Sequence, residues 1–430
     1  MSYIGNPIVS TDFPVDTFSG NGSTTAFTLT QAPASVNAII VAVSGVLQEP
    51  STYTISGTTL TFTAAPPSGT SNISVRHLGV AGIPNTPVAG SVQYSSLNSS
   101  LQGTLVGRNR IINGAMVIDQ RNAGASVTPA TAAYTLDRWQ TYVSQSSKFS
   151  VQQNAGSVTP PVGFKNYLGA TSLSAYSVLS GDYFTIGQPI EGFNVADLEW
   201  GTANAKTITV SFWVRSSLTG TFGGCVTNSA FNRSYPFSYT INAANTWEFE
   251  TITIAGDTSG TWLTNNGRGI ELDFGIGVGS DNRGTAGSWQ SGWKPSVTGA
   301  TSVVGTNGAT FYITGVQLEV GSTATSFDYL DYGRVLQQCQ RYYQVRNLAG
   351  DYAFIWTGDV TSGNGYYAGE PFPVVMRTAP TMTLTSTNQA GFDAPNSVRL
   401  MPSGMVVVAT SNATGARRFF QFNYTVSAEL

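Results

Sequence analysis

Charge is what this chain has least of. Lys, Arg, Asp and Glu supply 10% of its 430 residues, against about 25% in ordinary soluble proteins. Ser, Thr, Asn and Gln carry the polar load beside 47 glycines. A surface hydrated by hydroxyls and amides is not screened by salt and can bond to other hydroxyls. With a net charge of −3 and a pI near 5.2, the chain has no basic footprint, so no nucleic-acid partner is expected. Histidine is nearly absent too, His77 standing alone. A Ser-His-Asp arrangement, an HExxH zinc site and a Cys/His cluster are thereby effectively excluded, and His77 reads as structural. No P-loop or dinucleotide fingerprint occurs; GIGVGS (Gly275 to Ser280) lies in or at the end of a β run. Neither a metal nor a cofactor is therefore expected. Cys225 and Cys339 are far apart in sequence and read as buried small hydrophobes. The longest apolar run, Val36 to Leu47, is too short and broken to span a bilayer. The start, MSYIGNPIVSTDFP, lacks the charged and apolar regions of a secretion signal.

The length implies two to three domains, because a single core seldom grows past ~250–300 residues. Residues 1–82 alternate short β-rich runs with Gly, Pro and Ser-Gly turns, as an all-β domain does; Ser56-Gly57 reads as a hairpin turn. GIPNTPVAGS (Gly82 to Ser91) is a boundary. Within the connector 83–107, Tyr94, Leu97, Leu101 and Leu105 form a helical stripe too short to stand alone, to be buried on its own domain or on neighbouring copies. From 108 to about 330, strand patterns dominate. Ile208, Val210, Phe212 and Val214 share one face; Ile270, Leu272, Phe274, Ile276 and Val278 alternate with Glu271, Asp273, Gly275 and Gly277. Both read as strands with one buried and one open face. The apolar parity of FYITGVQLEV flips across Gly315, the mark of a β-bulge. Such strands with long Gly/Ser loops argue for a jelly-roll sandwich. A helix is expected over 331–346, with Leu336, Cys339 and Tyr343 on one face and Arg334 and Arg341 toward solvent. Residues 347–430 return to β. The fold class is mainly β: an N-terminal β domain, a jelly roll, one short helix and a C-terminal β domain. No fixed-period repeat points to a β-helix or propeller.

Sugar cleavage needs only two carboxylates, and two pairs sit i, i+2 on strands: Glu248/Glu250 and Glu271/Asp273. Such side chains leave one face roughly 6–7 Å apart, compatible with an inverting pair, which uses about 6.5–9.5 Å. A period-two row of carboxylates is ordinarily a solvated face. Sugar binding needs flat aromatic rings beside amides and carboxylates. The loop GSDNRGTAGSWQSGWKP (Gly279 to Pro295) offers Trp289 and Trp293 beside Asn282 and Arg283, and WTGDVTSGNGYYAGE (Trp356 to Glu370) sets Tyr366 and Tyr367 among glycines. These six are the candidate glycan-binding residues. Trp139, Trp213 and Trp247 lie on or beside strands and read as structural. Arg108 and Arg110 form a small basic cluster, read as a solvated pair or an inter-subunit salt bridge.

RNRIINGAMVIDQRNAG (Arg108 to Gly124), YTLDRW (Tyr134 to Trp139) and FYITGVQLEVGSTATSFDYLDYGRVLQQCQRYYQVR (Phe311 to Arg346) punctuate residues 108–346. Together they resemble a module recurrent in bacteriophage tail fibres. FSGNGSTTAFTLTQAPASVNAIIVAVSGVLQ (from Phe18) and YTISGTTLTFTAAPPSGTSNISVRHLGV (from Tyr53) resemble the virion-anchoring domain of many podovirus and myovirus fibres. PFPVVMRTAPT and the final AEL are also similar to tail proteins of this kind, although the segment Tyr94 to Leu97 lacks the lysine often seen there. The resemblance implies a jelly roll like that of carbohydrate-binding modules and an elongated homotrimer. It implies that residues 1–82 attach to the phage tail or to a baseplate or adaptor protein. It also implies that the chain engages a host surface polysaccharide or outer-membrane receptor, is made in the host cytoplasm and is carried on the virion. Trp289 stands where the family regularly has a tryptophan, which implies packing. A glycan depolymerase and a purely structural tail component are the rival readings; the β-helical scaffold usual for tailspike depolymerases is missing.

Overall fold

The computed structural model describes residues 13–78, 107–348, 351–393 and 397–430, and the chain divides into two compact units, Met1–Leu97 and Asn98–Leu430. The expected boundary at 82–91 and the leucine stripe of the connector lie outside the described residues.

In the first unit, Val15–Gly20, Gly69–His77, Ile39–Val43 and Val46–Leu47 make an antiparallel four-stranded sheet. Ala26–Thr28, Thr59–Phe62 and Tyr53–Ser56 make a three-stranded one. Alternation along these strands turns Ile39, Val41, Val43, Leu60, Phe62, Ile73 and Val75 into one core. The hairpin turn is Gly57-Thr58, one residue beyond the expected Ser56-Gly57, and Gly57 takes the left-handed conformation it requires (φ 60°). His77 is buried and structural, its Nε2 lying 3.0 Å from Asp16, which also accepts bonds from Thr30.

The second unit is built on an antiparallel sandwich. One sheet has five strands, in the order Phe149–Gln153, Leu168–Ser172, Thr310–Val320, Ile208–Ser216, Glu248–Ile254. The other runs Gln290–Ser291, Arg233–Ile241, Gly220–Asn228, Arg268–Val278, Tyr183–Glu191, Trp139–Val143, Ala133–Leu136. The chain crosses between the sheets repeatedly, as a jelly roll does. Phe184, Phe212, Phe222, Phe274 and Phe311 fill the space between them. The expected bulge is present: the register against Ile208–Ser216 shifts between Ser211 and Trp213, opposite Gly315 at φ 61°.

The expectation of an open face on Arg268–Val278 is corrected. From Gly269 to Val278 every residue is buried, because residues 280–297 and the end of the chain lie across its outer side. Thr209 and Ser211 on the outer side of Ile208–Ser216 are buried as well.

The α-helix covers Tyr332–Gln340 and is capped by Asp331, whose side chain accepts from the Arg334 N–H at 3.0 Å. Its buried side is Val335 and Cys339. Tyr343–Arg346, expected within the helix, is instead a strand paired with Gly415–Ser427. Arg341, expected in solvent, is bonded to Glu191 at 2.6 and 2.8 Å. Gly415–Ser427 also pairs with Phe354–Val360 and Thr381–Ala390, and Gly365–Pro371, Gly404–Thr410 and Ser397–Met401 complete a second sheet over a separate core. Cys225 and Cys339 are buried free thiols.

Candidate functional site

The loop expected to bind sugar folds back across the outer face of the seven-stranded sheet. Arg283–Gly284 pairs in parallel with Ser296–Val297, and Gln290–Ser291 extends the sheet beside Arg233–Ile241. The contact is close. A Cβ on Gly223 would stand 2.6 Å from Ser296 Oγ, and one on Gly275 would stand 2.8 Å from the Pro295 carbonyl. Asn282 Nδ2 donates to the Gly181 carbonyl at 2.9 Å and Arg283 Nε to the Val278 carbonyl at 2.6 Å. Both side chains tie the loop down.

Trp293 is thereby set on the sheet. Its indole N–H donates to Asp273 Oδ2 at 3.0 Å. Tyr183, Tyr142 and Phe231 meet its ring edge-on at 5.1, 5.6 and 5.6 Å. All four rings are half-buried, leaving part of each to solvent. Beneath them Glu271 accepts from Gln140 Nε2 at 2.6 Å and pairs with Arg268 at 2.5 Å, and Arg268 donates to the Tyr142 hydroxyl at 3.0 Å. At its far end the patch meets the main-chain oxygen of Leu430, which accepts from Arg268 and Tyr134. Tyr142, Tyr183, Phe231 and Arg268 were not singled out in the sequence. Tyr142, Tyr183 and Arg268 lie on different strands, brought side by side by a register that sets Tyr142 beside Thr185 and Gln140 beside Gly187, and Phe231 comes from the turn before Arg233–Ile241.

Glu271 and Asp273 share a face as their spacing predicts, but that face is not solvated: both are 0% exposed. Burial raises the Asp273 carboxyl well above its ordinary range, the Glu271 charge adds to this, and the Trp293 N–H opposes it only in part. Burial raises Glu271 too, against the opposing pull of Arg268. A catalytic acid must reach the substrate oxygen, and these two carboxyls lie beneath Trp293 and Arg268. In the other pair, Glu248 accepts the Asn242 and Ala243 backbone N–H groups at 2.9 and 2.8 Å and so holds the preceding turn.

The remaining candidates are dispersed. Trp289 belongs to a tryptophan cluster, 5.3 Å from Trp200 and 5.4 Å from Trp262, and donates to the Ala255 carbonyl. Tyr366 and Tyr367 lie on the strand Gly365–Pro371, not in a loop, and therefore face opposite ways. Tyr366 packs on Trp356 and Phe392, while Tyr367 is 66% exposed. Trp139 is fully buried, and Trp247 donates to the Thr159 carbonyl. Arg110 pairs with Asp197 at 2.8 Å and Arg108 donates to the Ser326 carbonyl at 3.0 Å, so both are engaged within the chain. Among the described residues no cluster of three or more His, Cys, Asp or Glu could hold a metal ion.

The motifs behind the family resemblance meet elsewhere. Arg121 bonds Glu429 at 2.6 Å, and Arg138 pairs with the other oxygen of the same carboxylate. Arg138 also lies 3.7 Å from the centre of the Tyr342 ring, and the Tyr342 hydroxyl donates to Glu191. Residues from five places in the sequence thus close on one cluster, which locks the C-terminal strands and the helix to the sandwich.

No family model matches the chain, and no curated protein sequence matches it. Among solved structures, a CBM4 structure is similar at 15% identity, over 49% of this chain and 98% of its own, with a TM-score of 0.25. TmCBM61 in complex with β-1,4-galactotriose is similar at 11% identity, over 50% and 100%, with a TM-score of 0.26. A family 11 carbohydrate-binding module from Clostridium thermocellum, in complex with a β-1,3-1,4-mixed-linked tetrasaccharide, is similar at 13% identity, over 46% and 98%, with a TM-score of 0.25.

Proposed function

We propose that this chain is an adhesive component of a phage tail. It would work as a homotrimer, held on the tail or on a baseplate or adaptor protein through residues 1–82. Its sandwich and distal β strands would engage a host surface polysaccharide or outer-membrane receptor. It would be made in the host cytoplasm and displayed on the virion. The sequence resemblance supports the setting. The observation that carries the binding role is the half-exposed cluster of Trp293, Tyr142, Tyr183 and Phe231, set over a fixed network of Arg268, Gln140 and Glu271. Rings held edge-on expose C–H-complementary faces without mobile side chains to be ordered on binding. A charge-poor surface adds hydroxyl and amide partners for sugar hydroxyls. Exposed Tyr367 is a separate contact of the same chemistry.

The test is incubation of the purified protein with a panel of bacterial strains and with polysaccharide extracted from them. Retention on cells without release of reducing ends is expected, and Trp293→Ala and Tyr367→Ala should each reduce retention. Release of reducing ends would establish a depolymerase instead. No retention on any strain would leave a purely structural tail component.

A further inference from the structure

We propose a second saccharide site on the opposite face of the sandwich, independent of the Trp293 cluster and selective for neutral sugars. A groove of about 290 Å³ crosses the outer side of the five-stranded sheet. One wall is the cross-strand pair Trp213 and Phe249, whose ring centres lie 5.3 Å apart. The other is a trio in which Phe164 meets Phe327 at 5.1 Å and Tyr329 at 5.6 Å. Ser211 joins the lining from the outer side of the same strand as Trp213.

Two glycines build this shape. At Gly315 the bulge takes φ 61°, and a Cβ there would stand 2.6 Å from the Phe164 ring, so only glycine lets that ring lie against the sheet. Gly163, at φ 92°, has the Tyr329 hydroxyl 2.7 Å from where its Cβ would be.

Three observations define the ligand. First, the ten lining residues include no Asp, Glu, Lys or Arg, so the groove matches an uncharged ligand. Second, six of the eight tryptophans donate their indole N–H to an acceptor within the protein. Trp213, half-buried in the groove, and Trp356 in the C-terminal strands make no such bond among the described residues. A flat ring with a free donor, with exposed Ser326 also lining the groove, suits the apolar face and ring hydroxyls of a pyranose. Third, the size is that of a small ligand. Stable protein interfaces take ~800 Å² and about 20–30 residues from each partner, whereas ligand clefts begin near ~300 Å³. One or two sugar rings fit. The exposure of Phe249 (47%), Tyr329 (55%) and Val162 (101%) leaves the groove open.

The full chain, labelled with ¹⁵N at its indole nitrogens, should be titrated with cellotetraose, maltotetraose and mannotetraose, with tetragalacturonate as the charged control. A saturable shift of the Trp213 signal with at least one neutral tetrasaccharide and none with tetragalacturonate is expected. Phe249→Ala, at an exposed position, should weaken that binding about tenfold, and Trp293→Ala should leave it intact. Either result is read without cells, so the site stands or falls separately from the adhesive role. No Trp213 shift with any of the three neutral sugars overturns the proposal, as does an equal shift with tetragalacturonate. A change of molecular mass in Phe249→Ala would assign the groove to contacts between copies and overturn it as well.

Discussion

Asp273 is stored in the fold at a cost that depends on pH. Its carboxyl is pushed well above the ordinary range by burial and by Glu271. An unfolded aspartate titrates near ~3.9. Between that value and the folded one, the native chain holds a proton that the unfolded chain has released, so stability falls as pH rises across this window. Asparagine keeps an oxygen for the Trp293 N–H and removes the ionisable group. Asp273→Asn is therefore expected to melt higher at neutral pH, by ~1–2 °C for an effect of about 1 kcal/mol in a unit of this size, and to flatten the decline of melting temperature as pH rises above ~4. A melting temperature below wild type at every pH would show that the carboxylate is well compensated. Gly315 makes a different demand. Alanine there would have to hold φ 61° and displace the Phe164 ring from 2.6 Å. Gly315→Ala should cost about 1–3 kcal/mol, read by denaturant unfolding, and a neutral result would mean that the bulge relaxes freely.

At the scale of elements, the C-terminal residues are tied to the sandwich by ion pairs as well as by strand pairing. Glu429 is 7% exposed and faces two guanidinium groups, one of them 1% exposed. Removing one partner from such a cluster strands the remaining buried charge, which costs ~3–5 kcal/mol. Glu429→Ala should accordingly loosen residues 415–430, seen as earlier proteolytic cleavage there and a lower melting temperature. Unchanged protection would mean that strand pairing alone holds them. This cluster also explains what could be read beforehand. Local alternation and the parity flip at Gly315 announced strands and a bulge, because they depend on near neighbours. The same alternation could not say that Glu271 and Asp273 are covered, since the cover comes from Trp293 and from a chain end some 160 residues away. Tyr343 kept helical spacing with Cys339 and Leu336, yet pairing with Ser427 made it a strand. Three of the motifs that carried the resemblance, those holding Arg121, Arg138 and Tyr342, meet at the Arg121–Arg138–Glu429 lock. Trp293 was legible as an aromatic in a glycine-rich loop; of its ring neighbours, Tyr142 and Tyr183 come beside it through sheet register and Phe231 through the turn before Arg233–Ile241.

For the whole molecule, weak sites are sufficient only if they act together. On the proposed reading, a patch of half-exposed rings with few charges would offer modest affinity per copy, but sites joined on one particle would gain ~10²–10⁴ in avidity without any new contact. A trimer supplies three such sites, so a change at one position is felt three times. If each copy loses about tenfold in affinity, retention of the trimer should fall by more than tenfold, approaching the product of the separate losses where all three sites engage. Light scattering on the full-length protein should therefore give three times the 45.3 kDa chain mass. Trp293→Ala and Tyr367→Ala are expected to keep that mass and to lose retention more steeply than a single-site titration with free sugar indicates. A wild-type protein that scatters as a single chain, yet stays on cells through extended washing, would break the link between copy number and adhesion. The work of binding would then have to be assigned to one strong site per chain.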